Sequence, residues 1–176
     1  MEKWEKISEE ILSENGYWTY KHDKFKVNGK NGDYYYVHTS GSTMVVPLLP
    51  NNKILMIKQY RYLSEQFSIE FPCGVIEKDL SPEDNARKEL REETGFDSSN
   101  LKLIAKFNPY NGVTDEICYV YVATGLFPSP LQPDFTEEFE LVELDAKEID
   151  KLIKSNELWD GMSVAAWQYY KFSCER

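Results

Sequence analysis

The chain has 176 residues, 41% of them hydrophobic, and its thirty acidic residues against twenty basic ones leave a formal charge of −10. That length suits one core of ordinary size, and no apolar run approaches the roughly 20 residues that a membrane-spanning helix needs. The acidic excess argues against a generic nucleic-acid binder, which neutralises phosphates with surplus Lys and Arg. Cys73, Cys118 and Cys174 are odd in number and lack CxxC spacing, so neither a disulfide framework nor a zinc site is indicated.

The opening, MEKWEKISEE, has neither the basic end nor the apolar stretch of a secretory leader, and cytoplasmic residence is expected. Trp4, Ile7, Ile11 and Leu12 stand at helix-like spacing before the stop signal Asn15-Gly16, which predicts a short amphipathic helix. From Tyr17 to Val37 the chain turns aromatic and β-branched, with turn signals at Asn28-Gly29 and at Asn31-Gly32-Asp33, predicting strands and hairpins. Thr43 to Leu49 and Lys53 to Tyr60 flank Pro50-Asn51-Asn52 and predict a second strand pair. A brief strand is expected at 68–71, then an irregular loop to Ser81. There the helix signals are complete: Ser81 to cap, Pro82 in the first turn, Asp84 as a capping-box acid, Ala86 and Leu90 on one face, and Gly95 to close. Strands follow at 101–108 and 116–123, a proline loop at Pro128, Pro130 and Pro133, and a strand at 139–144. Two helices end the chain, one striped by Ile149, Leu152 and Ile153, the other carrying Val164, Ala165, Gln168 and Phe172.

The chemistry lies in Gly74 to Phe96, GVIEKDLSPEDNARKELREETGF. Glu89, Glu92 and Glu93 stand at i, i+3 and i+4, so three carboxylates leave one helix face close together. A hard dication with oxygen ligands resolves their repulsion, and Mg2+ suits because it completes its shell with water and substrate phosphates. The plainer reading is a solvated acidic face paired with Arg87, Lys88 and Arg91.

The full spacing resembles the Nudix box: a glycine, five residues, an acid, seven residues, then Arg-Glu-apolar-any-Glu-Glu-any-Gly-apolar. Gly74, Glu89, Leu90, Glu92, Glu93, Gly95 and Phe96 match, whereas Leu80 replaces the first acid and Lys88 the arginine. Those two positions commonly pair in the family to brace loop against helix, so their joint replacement implies a lost support. Gln59-Tyr60-Arg61 and Glu70-Phe71-Pro72-Cys73-Gly74 resemble the QYR and ELPAG segments of the ADP-ribose and NDP-sugar pyrophosphatase branch. Asn108 to Glu116 resembles its SPG-x-S-D-E loop, with Asn111 where ADP-ribose hydrolases carry a proline.

The resemblance implies an α/β fold, the Nudix α/β/α sandwich with a mixed sheet, as a hydrolase domain at 42–176. A helix and β-hairpin subdomain at 1–41 would make substrate and homodimer contacts. It implies Mg2+, or Mn2+, held by Glu89 and Glu93, with Glu92 a further ligand or the base and the Cys73 carbonyl an extra ligand. Arg61 would bind phosphate, against a plain surface cation. Glu138, or Glu137, would supply a catalytic base from a mobile loop, against a charged loop facing water. Trp18 would stack on the base, while His22 and His38 have no partner at ligand spacing. The substrate would be a small nucleoside diphosphate derivative, with no membrane or nucleic-acid partner. Two other readings stand beside this one: a pyrophosphohydrolase of nucleoside triphosphates or RNA 5′ ends, and a catalytically weak nucleotide sensor.

Overall fold

The computed structural model describes residues 1–175. The first departure from expectation comes at the N-terminus, where β1 (Glu5–Glu14) is a strand instead of a helix. It pairs antiparallel with β2 (Thr19–Val27), which pairs with β3 (Lys30–His38) to complete a three-stranded sheet. The helix-like spacing of Ile7 and Leu12 coincides with register shifts between Lys6 and Ser8 and between Ile11 and Ser13. Each bulge adds a residue and flips the strand's alternation, so a period near 3.6 is read out on a pleated backbone. Partners distant in sequence decide the outcome: Trp4 stacks on Phe25 with centroids 4.2 Å apart, and Lys6 reaches Asp23 at 2.9 Å. Asn15 still ends the element, its side-chain oxygen accepting from the amides of Tyr17 and Trp18.

Asn28 and Gly29 make the expected tight turn, both with positive φ (51° and 75°). Asn31-Gly32-Asp33, expected to turn, continues β3. Gly32 serves there by omission, since a Cβ on it would lie 2.5 Å from the Phe25 ring.

β4 (Ser42–Pro47) and β5 (Ile54–Arg61) follow the expected runs but do not form a ladder with each other. A single bridge, Leu48 to Ile54, closes the turn, and the strands diverge into different sheets. β5 lies between β6 (Gln66–Glu70) and β10 (Glu140–Leu144), antiparallel to both. β4 lies between β7 (Cys73–Val75) and β9 (Cys118–Pro128), with β8 (Phe96–Phe107) outside β9. The β4–β9 pairing is parallel and the others in that sheet are antiparallel, giving a mixed sheet.

β4 is buried along its whole length because both of its faces are covered. Val45 packs with Ala86, Leu90, Tyr121 and Ala123 under α1 (Pro82–Thr94). Met44 and Val46 face the larger core, which reaches Met56 of the second sheet, Ile149 of α2 (Ala146–Lys154), and Ala166 and Trp167 of α3 (Gly161–Cys174). Asp145 and Glu148 form a full capping box at α2. The buried face of α3 is Ser163, Ala166 and Trp167, while Phe172 is exposed. No described helix is long and apolar enough to cross a membrane.

The N-terminal sheet is tied to the rest through the loop before β9. The Val37 amide donates to Val113 at 2.9 Å, and His38 meets Asp115 at 2.7 Å. His22, the other histidine, contacts Asp33 within the sheet at 2.7 Å.

Candidate active site

β7, the loop after it and α1 form one wall of a cleft of about 1000 Å³. The helix begins as its sequence dictates, with the Ser81 hydroxyl accepting from the Asp84 amide and Pro82 at the first helical position. It ends where Gly95, φ 78°, donates to Arg91. These caps fix which residues face the loop, and Glu89 and Glu93 do, one turn apart.

Glu93 is 6% exposed, and its Oε2 accepts from the Cys73 amide at 3.0 Å. Glu89 lies against Gly74: a Cβ there would stand 2.2 Å from the Glu89 carboxyl carbon. Two carboxylates therefore press on consecutive residues of the loop backbone. Burial pushes the Glu89 carboxyl up to about 7, with the Lys88 ammonium opposing and Glu92, Glu137 and Glu77 adding to the rise. Burial, then the charge of Glu89, holds the Glu93 carboxyl well above the ordinary range, against the Cys73 amide. Glu92 also lines the cleft and is held there in an ion pair with Lys88. Among the described residues, no three His, Cys, Asp or Glu side chains stand gathered at ligand distance. The three carboxylates share a helix turn but are held by different partners.

Arg61, at the end of β5, is engaged in a bidentate pair with Glu70, Nε to Oε1 at 2.8 Å and Nη2 to Oε2. Glu70 is 2% exposed and also meets Gln59 at 3.4 Å. Glu137 lines the cleft and its charge reaches Glu89, whereas Glu138 is not part of the lining. Gly16 and Tyr17 also line the cleft. Trp18, 41% exposed, is not among its lining residues.

A NUDIX domain model matches residues 38–164. An ADP-ribose pyrophosphatase of Bacillus subtilis (strain 168) is 33% identical over 163 residues, 92% of this chain and 88% of that protein. The chain belongs to the Nudix family. A methanol dehydrogenase activator of Bacillus methanolicus is 33% identical over 144 residues, 81% of this chain and 78% of the other. A solved ADP compounds hydrolase superposes with a TM-score of 0.87 over 99% of this chain and 96% of its own, at 21% identity, and shares the mixed α/β fold. The protein is a Nudix hydrolase, an enzyme of pyrophosphate bonds.

Within this Nudix fold the donor set suits a hard dication. Glu89 and Glu93 offer carboxylate oxygens whose charged form burial disfavours, a charge that a cation would stabilise, and the missing Cβ at Gly74 leaves the Glu89 carboxylate its place beside the loop.

The Nudix loop is also braced differently from the sequence expectation. Leu80 cannot pair with Lys88, but Lys88 instead reaches Glu77 at 3.2 Å, so a loop-to-helix ion pair survives with a different acid. Sequence reasoning gave no role to Glu77, Glu70 or Asn85, and among the N-terminal aromatic residues it chose Trp18 over Tyr17. Asn85 stands one turn before Glu89, at i−4 on the same helix face, and that spacing was the available signal for it.

Proposed function

We propose that this Nudix hydrolase cleaves the pyrophosphate bond of a nucleoside diphosphate linked to a sugar-like group, ADP-ribose or an NDP-sugar, giving NMP and a sugar phosphate. The observation that carries the reading is the seating of two carboxylates, the half-buried Glu89 and the buried Glu93, on the backbone at Gly74 and Cys73 in the wall of the large cleft. The likeness to an ADP-ribose pyrophosphatase over most of both chains favours this substrate class.

Glu89 and Glu93, with Glu92 and the Cys73 carbonyl, would hold Mg2+ or Mn2+. Bound there, the cation would neutralise diphosphate charge and make water more acidic. The chain's own groups supply the rest. Glu137, nearer the carboxylate pair than Glu138, or Glu92, takes the proton from the attacking water as its oxygen bonds to phosphorus. The bridging P–O bond breaks, and its oxygen leaves with the second phosphate. Arg61, pre-oriented by Glu70, presents its remaining guanidinium edge to a phosphate oxygen. Tyr17, 74% exposed and lining the cleft, offers an aromatic face to the base in place of Trp18.

Residues 1–41 serve as a contact subdomain in a cytoplasmic homodimer. The exposed Trp4, Ile7 and Ile11 on the N-terminal sheet favour a covered face in the assembly.

A panel of ADP-ribose, GDP-mannose, UDP-glucose, ATP and capped RNA with Mg2+, with products resolved by phosphorus NMR, tests the assignment. Release of NMP and a sugar phosphate from one of the first three is expected. Turnover of ATP or RNA alone overturns the substrate class, and binding without turnover of any substrate favours the sensor.

A further inference from the structure

Asn85 is wholly buried in the first half of α1, a position that ordinary helix energetics disfavours. An Asn inside a helix competes with its own backbone, and a buried amide costs stability unless its donors and acceptor are matched. Here they are. Its Oδ1 accepts from the Glu77 amide at 3.0 Å, and its Nδ2 donates to the Thr43 hydroxyl at 2.9 Å. The second N–H points to Glu89 Oε1 at 3.5 Å, the outer limit of a hydrogen bond. Because a backbone N–H can only donate, the Glu77 contact fixes which end of the amide is oxygen.

These three partners belong to three different elements. Thr43, itself fully buried, is in β4; Glu77 is in the loop that begins at Gly74; Glu89 is one turn along α1. One side chain thus sets the distance between the loop backbone and the carboxylate that lies against it. Lys88 also ties helix to loop, but through a half-exposed Glu77 carboxylate that water can compete for, so it orients less strictly.

We propose that Asn85 is a positioning residue for the proposed cation site: it locks the loop and the Glu89 carboxylate in one geometry, and metal affinity depends on it although it touches neither metal nor substrate. The inference rests on the assignment of Glu89 and Glu93 as ligands.

The test compares wild type with Asn85→Leu, which keeps the branching and heavy-atom count and removes all three hydrogen bonds. Thr43→Val is the milder companion, removing only the anchor of the amide in β4. Mg2+ binding to the protein alone is measured by calorimetry, exchange of the Glu77 amide by NMR, and kcat and KM at saturating Mg2+. Asn85→Leu is expected to weaken Mg2+ binding on the order of 10-fold, to speed Glu77 amide exchange, and to lower kcat with KM nearly unchanged. Thr43→Val should move each quantity the same way by a few-fold. A folded Asn85→Leu protein with the wild-type Mg2+ constant overturns the proposal. Should Asn85→Leu fail to fold, a wild-type Mg2+ constant in Thr43→Val overturns it equally. Glu89→Gln separates the two levels: if it too binds Mg2+ like wild type, the ligand assignment has failed, whereas if it alone loses Mg2+, only the role of Asn85 has.

Discussion

The Oε2 of Glu93 accepts the Cys73 amide hydrogen at 3.0 Å, binding the C-terminal half of α1 to the strand that opens the catalytic loop. Cys73 in turn pairs with Met44 of β4, so this one contact joins the helix, the loop and the central sheet. A carboxylate so used is structural, the proposed function makes it a cation ligand as well, and the two roles separate experimentally.

Glu93→Gln retains an oxygen able to accept from Cys73 but loses the charge. Turnover should fall on the order of 1000-fold, the several kcal/mol expected of a lost cation ligand, while the melting temperature stays within a few degrees. Steady-state kinetics beside calorimetric melting checks this, and wild-type kcat in the folded variant would remove Glu93 from the cation site.

Gly74→Ala places a methyl where the Glu89 carboxylate now stands. The loop or the carboxylate must shift by about an ångström, and a displacement of that size costs on the order of 100-fold in rate. Circular dichroism should show the fold retained, because the clash lies at the cleft wall and not in either core.

Arg61→Ala leaves the buried carboxylate of Glu70 without its bidentate partner. Loss of a buried pair is severe, but Arg61 is nearly half exposed, so a destabilisation of about 2 kcal/mol is expected. KM should rise about tenfold if the guanidinium also binds phosphate, as one charge-assisted hydrogen bond implies. Urea unfolding and substrate titration read the two effects independently, and an unchanged KM assigns Arg61 to the pair alone.

The raised Glu89 carboxyl makes the metal-free protein sensitive to pH. Between its ordinary value near 4.5 and its folded value of about 7, the folded state binds more protons than the unfolded state. The contribution of this group to stability is therefore greatest at low pH and is lost as pH rises through about 7. Mg2+ affinity should move oppositely, climbing with pH to about 7, with protons released on binding. Calorimetry in buffers of different ionisation enthalpy detects that release, and its absence would mean that Glu89 is already ionised.

Tyr17→Ala should raise KM for a nucleoside diphosphate substrate several-fold, the worth of one base stack at about 1 kcal/mol, while Trp18→Ala leaves KM in place if the cleft is completed within one chain. The reverse pattern would indicate that Trp18 of a second copy reaches the substrate.

The legible parts of the sequence were those where local chemistry and tertiary structure agree. Ser81, Pro82 and Gly95 bound α1 as read, because caps depend on neighbours within a turn, and Ala86 and Leu90 are buried together beneath it. β1 misled because Ile7 and Leu12 coincide with bulges, whose effect on periodicity depends on partners in β2. Phe96 to Asn100 was missed as part of β8 because Asp97, Ser98, Ser99 and Asn100 are poor strand formers, held extended by the far end of β9. Glu92, legible as one of three acids, is held by Lys88, a choice among rotamers that spacing does not encode.

The loop after Gly74 is anchored at Cys73 by Glu93, at the Glu77 amide by Asn85, and at the Glu77 carboxylate by Lys88. With three anchors from three side chains, the loss of any one leaves the loop held at the other two. Leu80 can then be tolerated where an acid is customary, and residue-by-residue agreement with a motif will underrate enzymes that have redistributed the same mechanical task.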